Sequence, residues 1–173
     1  MLQIKPVNEG NFKDIPSLCR QCLYWQTSGD HGEKMIKPDN EKQKREWLSK
    51  VKKEFGNCIG IAYQNGTPKG FVQYAPARFF PRVMEYASGQ PSEDAVFLTC
   101  LYITDKEARG KGLGTLMLED LVVELGKRGA KAIETYARRS SENNPSGPLR
   151  FYLKNGFKVD NEKDDFPLAR LEL

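Results

Sequence analysis

Residues 108–129, ARGKGLGTLMLEDLVVELGKRG, set the tightest limit on the fold. Gly110, Gly112 and Gly114 crowd behind Arg109, and Met117, Leu118, Leu121, Val122 and Leu125 then fall on one face of a helix. Lys127 and Arg128 suit the carboxyl end of that helix, and Gly129 stops it. Just upstream, AVFLTCLYI (95–103) is apolar on both faces, which assigns it to the middle of a sheet. A strand that turns through glycines into a helix gathers unpaired N–H groups and the positive end of the helix dipole around one small volume. Phosphate oxygens are favoured there. Glycine lets the main chain approach a ligand and take the positive φ values that aim consecutive amides inward. Taken alone, a glycine-rich helix start is as readily a tight turn that binds nothing.

Two well-known phosphate loops fail on spacing. G-x-x-x-x-G-K-[ST] occurs nowhere in the chain, and G-x-G-x-x-G fails because its sixth position is Thr115 counted from Gly110 and Met117 counted from Gly112. What remains is Arg109-x-x-Gly112-x-Gly114, directly after an apolar strand and opening an amphipathic helix. It closely resembles the acetyl-CoA pyrophosphate loop of the GNAT family of N-acetyltransferases. A second stretch, RFYLKNGFKV (150–159), resembles that family's F-Y-x-x-x-G-F element, with Tyr152, Gly156 and Phe157 in register. The motif-level resemblance covers residues 95–159, an acyl-CoA-binding core, and elsewhere rests on element order.

The resemblance implies an acyl-CoA N-acyltransferase fold, an α/β architecture with a mostly antiparallel central sheet of about seven strands flanked by about four helices. A splayed parallel pair, FLTCLYI and AIETYA, would admit acetyl-CoA as cosubstrate. The amides of Gly110, Lys111, Gly112, Leu113, Gly114 and Thr115, behind Arg109, would grip its pyrophosphate. The backbones of Leu101 and Ile103 would pair with the pantetheine arm like an added strand. Tyr152 would protonate the leaving thiolate. The family often has an asparagine on the cofactor arm; Asn144 takes that place here, at a longer spacing to Tyr152 and with Pro145 and Pro148 between.

The rest of the chain is consistent with one domain spanning 1–173. Its 39% hydrophobic and 29% charged residues describe an ordinary folded protein. With 27 basic and 23 acidic residues the net charge is +4, too mild for a nucleic-acid coat. The opening MLQIKPVNEGNFKD lacks a leader pattern and no apolar run is long enough to span a membrane, so a cytoplasmic location is expected. Cys19, Cys22, Cys58 and Cys100 are then expected to be thiols. Cys19-x-x-Cys22 offers two metal ligands and His31 and Cys58 form no second pair, so no metal is expected.

Element by element, LQIKPVN reads as a strand and NFKDIPSLCRQCLYW as a short helix. Asn40-x-x-Gln43 resembles a capping box ahead of a helix carrying Trp47, Leu48, Val51 and Phe55 on one face, with Gly56 as its stop. CIGIAY and KGFVQYA form a hairpin around Asn65-Gly66. KAIETYA is a strand, SGPLRFYLKNG a helix with Pro148 in its first turn, and FKVDNEK and FPLARLEL two closing strands.

Acyl transfer from a thioester to an amine needs a neutral nucleophile, donors for the developing oxyanion and a proton for the departing thiolate. A backbone N–H from CLYI would face the carbonyl if the strand bulges there. The base stays open among Glu85, Glu93, Asp94, Glu134 and a water chain. Cys100 lacks any neighbour that would lower its pKa, so direct transfer is preferred to an acyl-cysteine. Loops 19–40 and 76–95, with His31, Phe79, Phe80 and Tyr86, are the expected acceptor side for a small-molecule or peptide amine, and Arg138, Arg139 and Lys154 are candidates for the nucleotide's remaining phosphate. The competing readings are a non-catalytic acyl-CoA-binding module and nucleic-acid binding through EKQKREWLSKVKKEF, whose interleaved acidic residues argue against it. The resemblance also raises a homodimer paired through late strands.

Overall fold

The computed structural model describes residues 2–29, 36–140 and 147–173. Chain order runs β1 (Leu2–Pro6), α1 (Ser17–Gln21), α2 (Asn40–Glu54), β2 (Ile59–Gln64), β3 (Thr67–Pro76), β4 (Ala95–Ile103), α3 (Leu113–Lys127), β5 (Ala132–Tyr136), α4 (Leu149–Lys154), β6 (Lys158–Asn161) and β7 (Leu168–Glu172). One seven-stranded sheet has the spatial order β1-β2-β3-β4-β5-β7-β6. Every neighbouring pair is antiparallel except β4 and β5, which run parallel at the centre. This is the expected mixed fold, with the doubly apolar strand in the middle.

The two faces of the sheet are covered by different helices. On one, α2 contributes Leu48 and Val51 to a cluster with Trp25, Phe71, Phe80, Phe97 and Tyr136; on the other, Met117, Leu118, Leu121 and Leu125 of α3 and Tyr152 of α4 pack on Val72, Leu98 and Ile133. The β2–β3 hairpin turns on Asn65 and Gly66, whose φ values of 52° and 79° are the paired positive values such a tight turn needs.

Three local expectations change in detail. The first helical segment is interrupted before Pro16, so a short 3-10 turn (Phe12–Asp14) precedes α1, and Cys22 caps it. The capping box at Asn40 is not made: Asn40 is already helical and its Nδ2 donates to the Gln21 carbonyl at 3.0 Å, tying α2 to the end of α1. Pro148 sits at the N-cap of α4 rather than within its first turn.

β4 carries the consequential irregularity. Gln73 of β3 lies opposite Cys100 and Tyr74 opposite Leu98, so Thr99 is an extra residue without a partner. Before it, Val96 and Leu98 face the α3 side and Phe97 the α2 side; after it the parity inverts, with Cys100 and Tyr102 on the α2 side and Leu101 and Ile103 on the α3 side. The weak alternation of AVFLTCLYI thus has a second cause beside its two buried faces: the strand changes phase halfway.

The start of the parallel pair is held by charge. Glu134 on β5, fully buried, accepts from the Ser92 amide (2.7 Å), the Ser92 hydroxyl (2.9 Å) and the Arg170 guanidinium (2.9 Å), and Arg170 also forks onto Asp94 and Glu172. Removing the carboxylate leaves the two Ser92 donors without that acceptor inside the fold and takes from Arg170 the one fully buried carboxylate of its three. Glu134→Ala is therefore expected to lower stability by about 3 kcal/mol, read as a lower urea midpoint at unchanged slope.

Candidate functional site

β4 and β5 pair through only three residue couples, Ala95–Ala132, Val96–Ile133 and Phe97–Glu134. At the next position Thr135 Oγ1 donates to the Leu98 carbonyl at 2.8 Å, a side chain standing in for the ladder, and beyond it the strands part. Across the β3 ladder the Thr104 amide donates to the Lys69 carbonyl. Alternation from that bond turns the peptide groups of Leu101 and Ile103 to the other edge of β4, the one β5 has left. The bulge at Thr99 is what gives these two residues, and not Cys100 and Tyr102, the open edge.

The glycine loop closes one end of this cleft. Asp105 accepts from Lys69 Nζ (2.6 Å) and the Glu107 amide (2.9 Å), anchoring the turn that leaves β4. Gly110 and Gly112 follow with φ of 72° and 85°, and a Cβ on either would meet nothing within 4 Å, so it is the backbone conformation and not crowding that calls for glycine at both. Gly112 is the N-cap of α3 and brings no capping side chain, and the first turn of α3 carries no acidic residue. Among the described residues the amides of 110–115 have no acceptor within the chain; the first satisfied amide is that of Leu116, bonded to the Gly112 carbonyl at 3.1 Å. The result is an array of unspent N–H donors at the positive end of a four-turn helix.

Gly114 serves a different purpose. A Cβ there would lie 3.3 Å from Phe151 of α4 and 3.5 Å from Leu101, so its small size lets α3, α4 and β4 meet. The RFYLKNGFKV element explains itself the same way: Phe151 docks on Gly114, Gly156 ends α4 at φ 88°, and the Phe157 ring packs edge-on against Tyr152 at 5.0 Å. The two glycine-bearing motifs are one packing unit.

Arg109 lies across the open strand edge. Its Nε and Nη2 donate to the Ile103 carbonyl at 3.1 and 3.0 Å, and its guanidinium sits 5.4 Å over the Tyr102 ring. This narrows the expectation for Ile103, whose carbonyl is engaged and whose amide alone remains for a strand-like partner. Lys111 is exposed and Thr115 half-buried at the mouth of the donor array. Tyr152, fully buried, lies beside Thr135, and burial raises its hydroxyl pKa well above the usual tyrosine value, with the Thr135 hydroxyl opposing that rise. Asn144 and His31 fall outside the described residues.

Most of the carboxylates considered as a base are committed elsewhere. Glu134 and Asp94 hold Arg170, and Glu85 pairs with Arg82 at 2.8 Å and accepts from the Gly29 amide. Glu93 is exposed. Arg138 and Arg139 pair with Asp165 and Glu162 at 3.0 and 2.6 Å. Phe79 and Phe80 are core residues, while Tyr86 is part of a stack on Tyr136 (4.0 Å between centroids) and hydrogen-bonds Tyr24 at 3.0 Å between hydroxyls. A group that sequence reasoning passed over is Lys44, one of several lysines of α2 outside its apolar face, yet buried against Gln73.

Known proteins place these features. Residues 20–157 match the acetyltransferase (GNAT) family. No curated protein matches the sequence. Among solved structures, the chain is similar to PaiA N-acetyltransferase from Thermoplasma acidophilum in complex with coenzyme A (TM-score 0.60, 20% identity, covering 100% of this chain and 99% of that one). It is also similar to ribosomal-protein-alanine N-acetyltransferase from Brucella melitensis (0.63, 18%, 99% and 99%). A GNAT family acetyltransferase from Brucella melitensis in complex with acetyl-CoA gives 0.56 at 13% identity, covering 100% and 88%.

Two cysteines on the α2 side of the sheet give a direct check on the chemistry. Contrary to the expectation that no neighbour would lower the Cys100 pKa, Lys44 lies near enough to oppose the rise, but desolvation outweighs it and pushes the Cys100 thiol up to about 11, and that of Cys58 up to about 12. Both are expected to react with a disulfide reagent at pH 7.5 at least about a hundredfold more slowly than free cysteine, and to react freely once the protein is unfolded. Rapid labelling of Cys100 in the native protein would reopen the acyl-cysteine route.

Proposed function

Because the chain belongs to the acetyltransferase (GNAT) family, whose members are acyltransferases, we propose that it binds acetyl-CoA in the β4–β5 cleft and transfers the acetyl group directly to an amine. The observation that carries this reading is the run of unspent amides at 110–115, shaped by two positive-φ glycines beside an open strand edge. Each feature suits one part of the cosubstrate. The amides of Gly110, Lys111, Gly112, Leu113, Gly114 and Thr115 fit a diphosphate, and Arg109 Nη1 and Lys111 add positive charge at its rim. The Leu101 carbonyl and the Ile103 amide fit the amide-bearing pantetheine arm, which would add to β4 as a strand does.

The cosubstrate supplies the activated acetyl group, and the residues of the chain supply position and protons. The Leu101 amide, the first one past the bulge on the open edge, is the donor for the thioester carbonyl as negative charge develops on it. The new C–N bond forms as the C–S bond breaks, the amine gives up one proton, and the thiolate gains one. Tyr152 is the proton donor to sulfur, and its raised pKa keeps the hydroxyl protonated across the neutral range. With Glu134, Asp94 and Glu85 held in ion pairs, the proton from the amine leaves through water rather than onto these carboxylates.

Calorimetric titration tests the binding step. Acetyl-CoA and CoA are both expected to bind, and Gly112→Asp is expected to abolish both by placing a carboxylate among the phosphate donors. In a thiol-release assay over small amines and peptide N-termini, Tyr152→Phe is expected to lose at least about a hundredfold in kcat while the acetyl-CoA affinity holds. Equal background release by wild type and Tyr152→Phe would favour a non-catalytic acyl-CoA-binding module instead.

A further inference from the structure

The bulge that gives Leu101 the open edge of β4 is braced from the α2 side by three buried polar groups in series. Thr99, the extra residue, has its hydroxyl bonded twice to Gln73: Thr99 Oγ1 donates to the Gln73 carbonyl at 3.0 Å and accepts from Gln73 Nε2 at 2.9 Å. Gln73 Oε1 in turn accepts from Lys44 Nζ at 3.0 Å and from Gln26 Nε2 at 3.3 Å. Thr99, Gln73 and Lys44 are 0%, 1% and 2% exposed. The order of donors is forced. An ammonium can only donate, so Lys44 fixes Oε1 of the Gln73 carboxamide toward itself and Nε2 toward Thr99, and the Thr99 hydroxyl, accepting from Nε2, gives its own proton to the Gln73 carbonyl.

Lys44 is an odd choice for this position on stability grounds alone. The titratable groups that face it are the thiols of Cys22, Cys100, Cys19 and Cys58, its amine lies 5.6 Å over the Trp47 ring, and its hydrogen-bond acceptor is a neutral amide. A buried amine without a carboxylate partner costs stability that a methionine of similar length would not, and burial accordingly lowers its pKa. What the lysine gains is a fixed Gln73. Hydrophobic residues would fill the same volume, but they would not tell a strand which of two phases to take.

We propose that Lys44, Gln73 and Thr99 form a positioning chain that locks the β4 bulge in phase and so keeps the Leu101 amide aimed at the acyl carbonyl of the bound thioester. The proposal rests on the acyl-CoA reading given above. It assigns none of the three residues to contact with the reacting atoms. They act through the backbone of β4.

CoA lacks the acyl carbonyl and acetyl-CoA has it, so the two ligands separate aim from fold. Thr99→Val keeps the shape and removes the hydroxyl; it is expected to weaken acetyl-CoA about fivefold, the loss of one neutral hydrogen bond, with CoA affinity within about twofold of wild type. Thr99→Ser, which restores the hydroxyl, is expected to restore the acetyl-CoA affinity. Lys44→Met is expected to reduce the acetyl-CoA preference while melting no lower than wild type, a combination that a purely structural lysine would not give. Because Thr99 and Gln73 belong to one chain, Gln73→Leu combined with Thr99→Val should cost no more than the larger single effect. A Thr99→Val protein that folds and binds both ligands as wild type does, or that loses both equally, overturns the proposal. Wild-type protein that binds neither ligand defeats the acyl-CoA reading itself, and is recognised before any variant is made.

Discussion

The parting of β4 from β5 is the constraint on which the rest of this structure depends. Parallel strands in a closed core normally stay paired, because a buried strand edge leaves amides and carbonyls without partners. Here the pairing stops at Phe97 and Glu134, and the chain answers the opened edge piecemeal: Thr135 takes the Leu98 carbonyl and Arg109 takes the Ile103 carbonyl. The Leu101 peptide group and the Ile103 amide are left facing the gap. The edge is thus partly capped by side chains and partly left open, which is what the proposed pairing with the pantetheine arm requires.

The two ends of the gap are held by different means. At the closed end, the Arg170–Glu134 pair with Ser92 and Asp94 fixes where β4 and β5 come together. At the open end, Gly114 and Phe151 seat α4 on the first turn of α3, so the unspent amides and the Tyr152 ring belong to one packing unit. The loop leaves several donors unsatisfied and gains little from its own hydrogen bonds, so its shape is supplied by neighbours: Asp105 with Lys69 on one side, Phe151 on the other. Across the sheet, the α2 face contributes the Lys44–Gln73–Thr99 series, which reaches the same strand from behind.

Where local chemistry alone fixes a conformation, it could be read directly. Asn65-Gly66 makes its hairpin because few other pairs adopt two positive φ values, and Gly56 and Gly129 end their helices for a related reason. The order of eleven strands and helices follows from apolar periodicity, and the central position of 95–103 from its two oily faces. The donor array at 110–115 was also legible, since glycines at a strand-to-helix turn are an unusual expense in chain entropy unless the backbone itself is used. Asn40 was misread because Asn at a helix start has two outlets for its side chain, and a carbonyl of α1 outcompeted its own helix.

The sequence by itself determined the element order, the strand-to-helix loop with its open donors, and membership of two motifs in one region, because these depend on residues within one or two turns of each other. Only the tertiary structure decided that Thr99 is the extra residue of β4, since a bulge is defined by the register against β3 and not by the strand that contains it. It also decided that Lys44 leaves the solvated face of α2 for Gln73, and that Glu134, Asp94 and Glu85 are held by arginines. Those outcomes join residues between 3 and 76 positions apart, and for all but the nearest no pattern within the chain says which partner each side chain will meet.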